Sequence, residues 1–263
     1  MNTFVHRCVV AAVLWGIWGS IAPVFADDPQ DDGRIVEPIR VLLISGHNNH
    51  NWRETTPVLK AILEEGDRFE VVVDEAPQDL TAEKLNDFDV IVSNWNWWNA
   101  GQDPGWSDDT REAYLAFIRD GKGHVVVHAG SSSFYDWDEY QKVGLASWKL
   151  GETGHGPRHD FPVQIVDTEH PITQGVEPFT IFDELWERPG VQEQATVLAT
   201  GTLAYKEEEP AIQHPVVLVD DYGEGRCYTL MLGHDARAME SDGFQTLLTR
   251  GVEWAATGAV AEN

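Results

Sequence analysis

Short apolar runs alternate along the chain with segments whose apolar residues recur at helical spacing. Ile39 to Ile44 is apolar except for Arg40, as a strand covered on both faces requires. The next segment carries Val58, Leu59, Ile62 and Leu63 on one stripe, with Thr56 as N-cap, Pro57 in the first helical position and Gly66 as the stop. Phe69 to Val73, Val90 to Val92 and Val125 to Val127 read as the next strands. Thr81 and Ser107 cap the helices between them, the second presenting Tyr114, Leu115, Phe117 and Ile118 and ending at Gly121. Beyond residue 128 the alternation loosens. The pattern predicts helix within Phe134 to Trp148, a Gly/His loop from Gly151 to Asp160, and strands at Phe161 to Val166, Ala195 to Thr200, Pro215 to Asp220 and Cys227 to Leu232. The turn Gly223-Glu224-Gly225 predicts that the last two form an antiparallel hairpin near the C-terminus. Gly243 to Ala256 predicts a closing helix. Such alternation specifies an α/β chain with an open, doubly wound, mostly parallel sheet, in one domain over 39–258 with a short tail at 259–263.

The N-terminus has a different character. Arg7, the apolar run Cys8 to Ile21 and Val24-Phe25-Ala26 have the layout of a signal peptide cleaved after Ala26, which predicts export to the periplasm or the medium. Residues 27–38 are acidic and carry Pro29 and Gly33, a lead-in without core-forming residues. No second long apolar run follows, so no membrane span is expected. Cleavage would leave Cys227 as the single cysteine, placed inside a predicted strand where a thiol is buried and inert. Asp and Glu number 44 against 18 Lys and Arg, a net charge of −26 that repels phosphate backbones and excludes nucleic acid as a partner. Lys206-Glu207-Glu208-Glu209 reads as a solvated loop. The 11 tryptophans exceed ordinary core needs and offer flat faces to a ligand.

In open α/β sheets, ligands bind beyond the carboxyl ends of the strands. His47, His128 and His234 all fall at predicted strand ends, and His50 and Trp52 follow the first of them closely. Ser93-Asn94-Trp95, then Asn96, Trp97 and Trp98, follow the third strand. The fourth strand runs into Val127-His128-Ala129-Gly130-Ser131, a strand–turn–helix elbow with neither Cys nor Ser in the nucleophile slot. Nucleophilic cysteine chemistry is therefore not expected.

Several segments, taken in order, resemble the ThuA-like (trehalose-utilisation) family. They are Ser45-Gly46-His47 through Trp52-Arg53-Glu54-Thr55-Thr56-Pro57, Val127-His128-Ala129, His155-Gly156, His170-Pro171-Ile172-Thr173, Asp183-Glu184-Leu185, Leu232-Gly233-His234-Asp235 and Gly251-Val252-Glu253-Trp254-Ala255. The resemblance implies a class I glutamine amidotransferase-like fold, an open sheet of the flavodoxin-like kind, and a link to disaccharide or keto-sugar use. It does not imply glutamine amidotransfer, because His128 stands at the elbow and His234 is followed by Asp235. It marks His47, Trp52, Glu54, His128, His155, Asp183, Glu184, His234 and Asp235 as pocket residues.

Two chemistries fit these residues. In one, His47, His128, His155 and His234 supply ligands to a divalent metal that polarises a sugar carbonyl or activates water, with Glu184 as acid/base. In the other, His128 and His234 act directly as acid and base, with Asp235 or Glu184 setting the tautomer. In both, a small-molecule sugar stacks on Trp95 and its neighbours while Arg53, Asn94 and Asn96 bond its hydroxyls. An enzyme, a non-catalytic carbohydrate-binding domain and a partner-binding scaffold are the three functions to weigh. Titratable groups in a cleft favour the first two.

Overall fold

A computed structural model describes Met1 and residues 37–99, 101–203 and 211–261. Residues 2–26 of the segment expected to be a signal peptide, most of the acidic lead-in and Lys206 to Glu209 lie outside the described residues. In chain order the first half contains β1 (Ile39–Ile44), α1 (Trp52–Leu63), β2 (Phe69–Asp74), α2 (Ala82–Leu85), β3 (Val90–Ser93), α3 (Asp108–Arg119) and β4 (Gly123–Val127). Then come α4 (Asp138–Val143), the two-residue strands β5 (Ala146–Ser147) and β6 (Gly154–His155), β7 (His159–Ile165) and β8 (Phe179–Asp183). The chain closes with β9 (Trp186–Glu187), β10 (Gly190–Val191), β11 (Thr196–Thr202), β12 (Gln213–Tyr222), β13 (Gly225–Leu230) and α5 (Asp242–Thr257). No described helix is long and apolar enough to cross a membrane.

Nine strands form one sheet in the order β2-β1-β3-β4-β13-β12-β11-β7-β8. Pairings from β2 to β13 are parallel, and those from β13 to β8 are antiparallel. The strand order reverses direction between β1 and β3, the switch point where a crevice opens at the carboxyl ends. Every residue of β3 and β4 is buried, because helices cover both faces of the sheet there. Two adjacent residues of β4 show this. Gly123 lies against the α5 backbone at Ala255. His124 points to the opposite face, where its ring meets Tyr114 of α3 and the Val143 carbonyl of α4.

The structure corrects one expectation, sharpens another and adds a strand. Helix α1 begins at Trp52, with Asn51 as N-cap and Pro57 inside it. The Glu54 and Thr55 amides both bond the Asn51 carbonyl, closing a turn ahead of the proline. Thr56 therefore does not cap. Its hydroxyl instead meets Ser45 Oγ at 2.6 Å and accepts from Asn94 Nδ2 at 2.9 Å, tying the ends of β1 and β3 to the helix. Helix within Phe134 to Trp148 is limited to α4, and the buried Phe134 and Trp137 pack ahead of it as irregular chain. Strand β8 was not anticipated. It is five residues at the sheet edge, with a ladder on one side only, too short to announce itself by alternation.

Candidate functional site

The crevice is built where β1, β4, β8 and β13 end. His128 follows β4 in the left-handed region, with φ of 40°. A residue other than glycine adopts that conformation at some cost, and here its surroundings hold it there. Two contacts do so. The ring Nδ1 donates to the Met231 carbonyl at 2.7 Å. Gly130, two residues on, packs so closely that a Cβ would lie 2.7 Å from Val126 Cγ1 and 3.0 Å from the Ser93 carbonyl oxygen.

After β13, Gly233 turns the chain with φ of +100° beneath the Phe244 ring and presents His234. Asp183, at the end of β8, fastens this turn. Its carboxylate accepts from the Gly233 amide at 2.6 Å, the His234 amide at 3.1 Å and the Glu184 amide at 2.8 Å. Burial pushes the Asp183 carboxyl up, against the opposing pull of His128 and those amides. Asp183 is thus a latch between β8 and the β13 turn.

Glu184 is the centre of the site. Its Oε1 accepts from Trp186 Nε1 at 3.2 Å and lies 3.6 Å from His128 Nε2. Its Oε2 lies 3.0 Å from His155 Nδ1 and 3.6 Å from His234 Nε2. His50 completes the group, its ring 4.5 Å from that of His234 and 5.1 Å from that of His128. Burial works to raise the Glu184 carboxyl, but His128 and the imidazoles of His155 and His234 outweigh it and hold it down at about 2. Burial works to lower His128, and the Glu184 and Asp183 carboxylates reverse the sign, so its pKa is raised. Burial and the neighbouring His128 and His234 rings depress His50 to about 3. His128 is itself 2 % exposed and lies behind Glu184, so it acts on the cavity through that carboxylate.

Above this floor opens a cavity of about 520 Å³ walled by Trp98, Tyr135, Trp148, Leu150 and Trp186. Its base is His50, His155, Glu184 and His234. Polar groups converge at the bottom and aromatic faces rise around them, the layout of a pocket for a small amphipathic ligand.

Of the residues marked in the sequence, His128, His155, Asp183, Glu184 and His234 meet here. Asp235 stands at the edge. It pairs with Arg158, accepts from the Ala238 amide at 3.0 Å and lies 3.8 Å from His234 Nδ1. His47 does not join them. Its Nδ1 bonds the Asn96 carbonyl at 2.6 Å and its ring packs 4.5 Å from Trp97, so it belongs to the wall behind the loop. Trp52, Arg53 and Glu54 open α1 outside the cavity lining. The Arg53 guanidinium lies over the Trp52 ring at 4.1 Å, and Glu54 accepts from Asn51 at 2.8 Å. Asn94 is spent on the Thr55 and Thr56 hydroxyls, and Trp95 is buried against Phe134 and Trp106. Asn96 is structural as well: its Nδ2 donates to the Ala129 carbonyl and Ser132 Oγ, both at 3.1 Å, and to Asn49 Oδ1. That clip carries the loop bearing His50 over to the elbow. His50, Tyr135, Trp148, Leu150 and Trp186 are contributors not marked in the sequence. The polar run Asn48-Asn49-His50 at a strand end was the available signal for the first. Cys227 is buried, its thiol pushed up by burial and by Asp220, as an inert strand cysteine should be.

Residues 40–255 match the family profile described as ThuA, trehalose utilisation. A putative ThuA-like protein from Parabacteroides merdae is 30% identical, with 86% of this chain and 92% of that one covered at a TM-score of 0.74. Another from Bacteroides uniformis is 17% identical, covering 85% and 95% at 0.62. A β-galactosidase from Rahnella sp. R3 aligns over 83% of this chain and 32% of its own at 17% identity and 0.54, a likeness of fold alone. No curated protein matches the sequence.

Proposed function

The chain belongs to the ThuA (trehalose utilisation) family, and on that premise we propose that it binds a disaccharide or keto-sugar in the aromatic-walled cavity and acts on it by imidazole–carboxylate acid–base chemistry. One observation carries the reading: a single carboxylate, Glu184, receives His128, His155, His234 and Trp186 at the base of a cavity walled by tryptophans. Sugar C–H faces stack on aromatic rings, which the Trp148 and Trp186 walls supply. Glu184 stays ionised and orients the imidazoles, and His234 and His155 are the groups beside it that pass a proton to or from a hydroxyl or carbonyl oxygen. His128 is a positioning residue, its Nε2 lying 3.6 Å behind the Glu184 carboxylate. Glutamine amidotransfer has no place in this reading, since His128 occupies the elbow where a nucleophile would stand. The proposal includes export, with residues 1–26 as a signal peptide.

Glu184→Gln and His234→Ala in the full chain, assayed against disaccharides and their keto derivatives, separate an enzyme from a binding domain. Turnover should fall by about 100-fold or more while ligand affinity changes only a few-fold. Binding without turnover in the unaltered protein would establish the carbohydrate-binding alternative, and absence of both would end the sugar reading.

A further inference from the structure

Two of the rings around Glu184 have their outer nitrogens bonded to oxygens. His128 Nδ1 is held by the Met231 carbonyl at 2.7 Å. His50 Nδ1 faces the Asn48 and Asn49 side-chain oxygens at 3.2 and 3.1 Å. His234 Nδ1 has no hydrogen-bond partner among the described residues, Asp235 Oδ2 lying 3.8 Å away, and its Nε2 faces Glu184. An imidazole whose Nδ1–H is donated to an oxygen leaves Nε2 as a bare lone pair. Ring nitrogens and a carboxylate face one another here, an arrangement that favours positive charge among them, supplied by a proton or by a metal ion. His128 sharpens the point: it is 2 % exposed, and its Nε2 has no hydrogen-bond partner among the described residues while turned toward this cluster.

We infer that His50, His234 and Glu184 form a binding site for a divalent first-row metal ion, with zinc the first choice. One donor atom from each lies within 4.8 Å of the other two, close enough for small side-chain movements to enclose one ion. Two imidazoles and one carboxylate are the donor set of zinc sites that keep a position open for water or substrate. That open position faces the cavity, because all three residues line it. The surroundings supply the outer layer such sites use. Trp186 Nε1 holds one Glu184 oxygen, His155 Nδ1, bonded to the Gly156 carbonyl, lies 3.0 Å from the other, and the Asn48 and Asn49 oxygens hold the ring of His50. The ion would polarise a sugar carbonyl or lower the pKa of a bound water. The inference rests on the sugar reading for its substrate, but not for the ion itself, and with an ion bound Glu184 and His234 would act as its ligands, leaving His155 as the proton-transfer group.

The test is zinc binding by the full chain, measured in competition with a chromophoric chelator. One ion per chain is expected, with affinity reduced by more than about 100-fold in His50→Gln and in His234→Gln. His47→Ala, whose ring lies outside the cavity, should bind within two-fold of the unaltered protein. Near-ultraviolet circular dichroism reports whether each variant is folded. If a variant does not fold, Co²⁺ absorption of the unaltered protein decides, since bands of a four- or five-coordinate ion support the site and the spectrum of hydrated cobalt overturns it. No zinc binding, or binding indifferent to His50 and His234, also overturns it. A sugar bound by metal-free protein that takes up no zinc defeats the metal site alone. Zinc bound with no sugar affinity defeats the sugar reading alone.

Discussion

His124 lies in the core layer beneath the sheet, fully buried, with Nε2 accepting from the Tyr114 hydroxyl at 2.8 Å and Nδ1 donating to the Val143 carbonyl at 2.9 Å. Neither partner compensates a second proton, so burial lowers its pKa from 6.5 to about 4, only partly opposed by the Val143 carbonyl. The sign follows from linkage. The unfolded chain protonates this residue below 6.5 and the folded chain does not until about 4, so the unfolded state gains protons first and stability falls as pH falls through that window. With those two values, the loss from this residue alone is about 2 kcal/mol between pH 7.5 and 5, and about 3 kcal/mol by pH 4. His124→Phe keeps a ring in the space and removes the titration. It is less stable at neutral pH, since the Tyr114 hydroxyl and Val143 carbonyl lose their partner. Its deficit against the unaltered protein should shrink by about 2 kcal/mol at pH 5. Urea unfolding of both proteins at pH 7.5, 6 and 5 measures the difference, in which other depressed imidazoles such as His50 cancel. A deficit that stays constant across that range refutes the argument.

Asp183→Asn replaces a carboxylate oxygen with a donor facing the Gly233 amide. It should cost about 1–3 kcal/mol in urea unfolding and reduce activity further by releasing His234; unchanged stability would show that the latch does not hold the turn. Gly233→Ala sets a Cβ 2.7 Å from the Phe244 ring at φ of +100°, and should lower stability by about 1–3 kcal/mol, read as a fall in Tm. Trp148→Ala should weaken sugar binding about five-fold, roughly 1 kcal/mol, in calorimetric titration, with little change in fold. If export occurs as proposed, the mass of the secreted chain should correspond to an N-terminus at Asp27.

Local rules made much of this protein legible in its sequence. The apolar runs at β1, β3 and β4, the Ser107 and Thr81 caps, and the placement of His128 and His234 at strand ends all follow from period and position. So does the absence of a nucleophile at the elbow. Which imidazole of the first loop enters the cavity was not legible. His47 and His50 are both polar, both at the same strand end, and three residues apart in irregular chain, where no period fixes direction. The Asn96 carbonyl turns one ring outward, and the Asn48 and Asn49 side chains turn the other inward. The tryptophans divide in the same way. Trp95 and Trp106 are core because Phe134 lies against them, whereas Trp148 and Trp186 form walls because their loops fold over Glu184. Sequence alone determines which residues sit at the end of each strand, since that depends on near neighbours along the chain. Only the tertiary structure decides which of them share a carboxylate, because that depends on contacts between segments as distant as residues 50, 128, 184 and 234, whose orientations are set by bonds to one another.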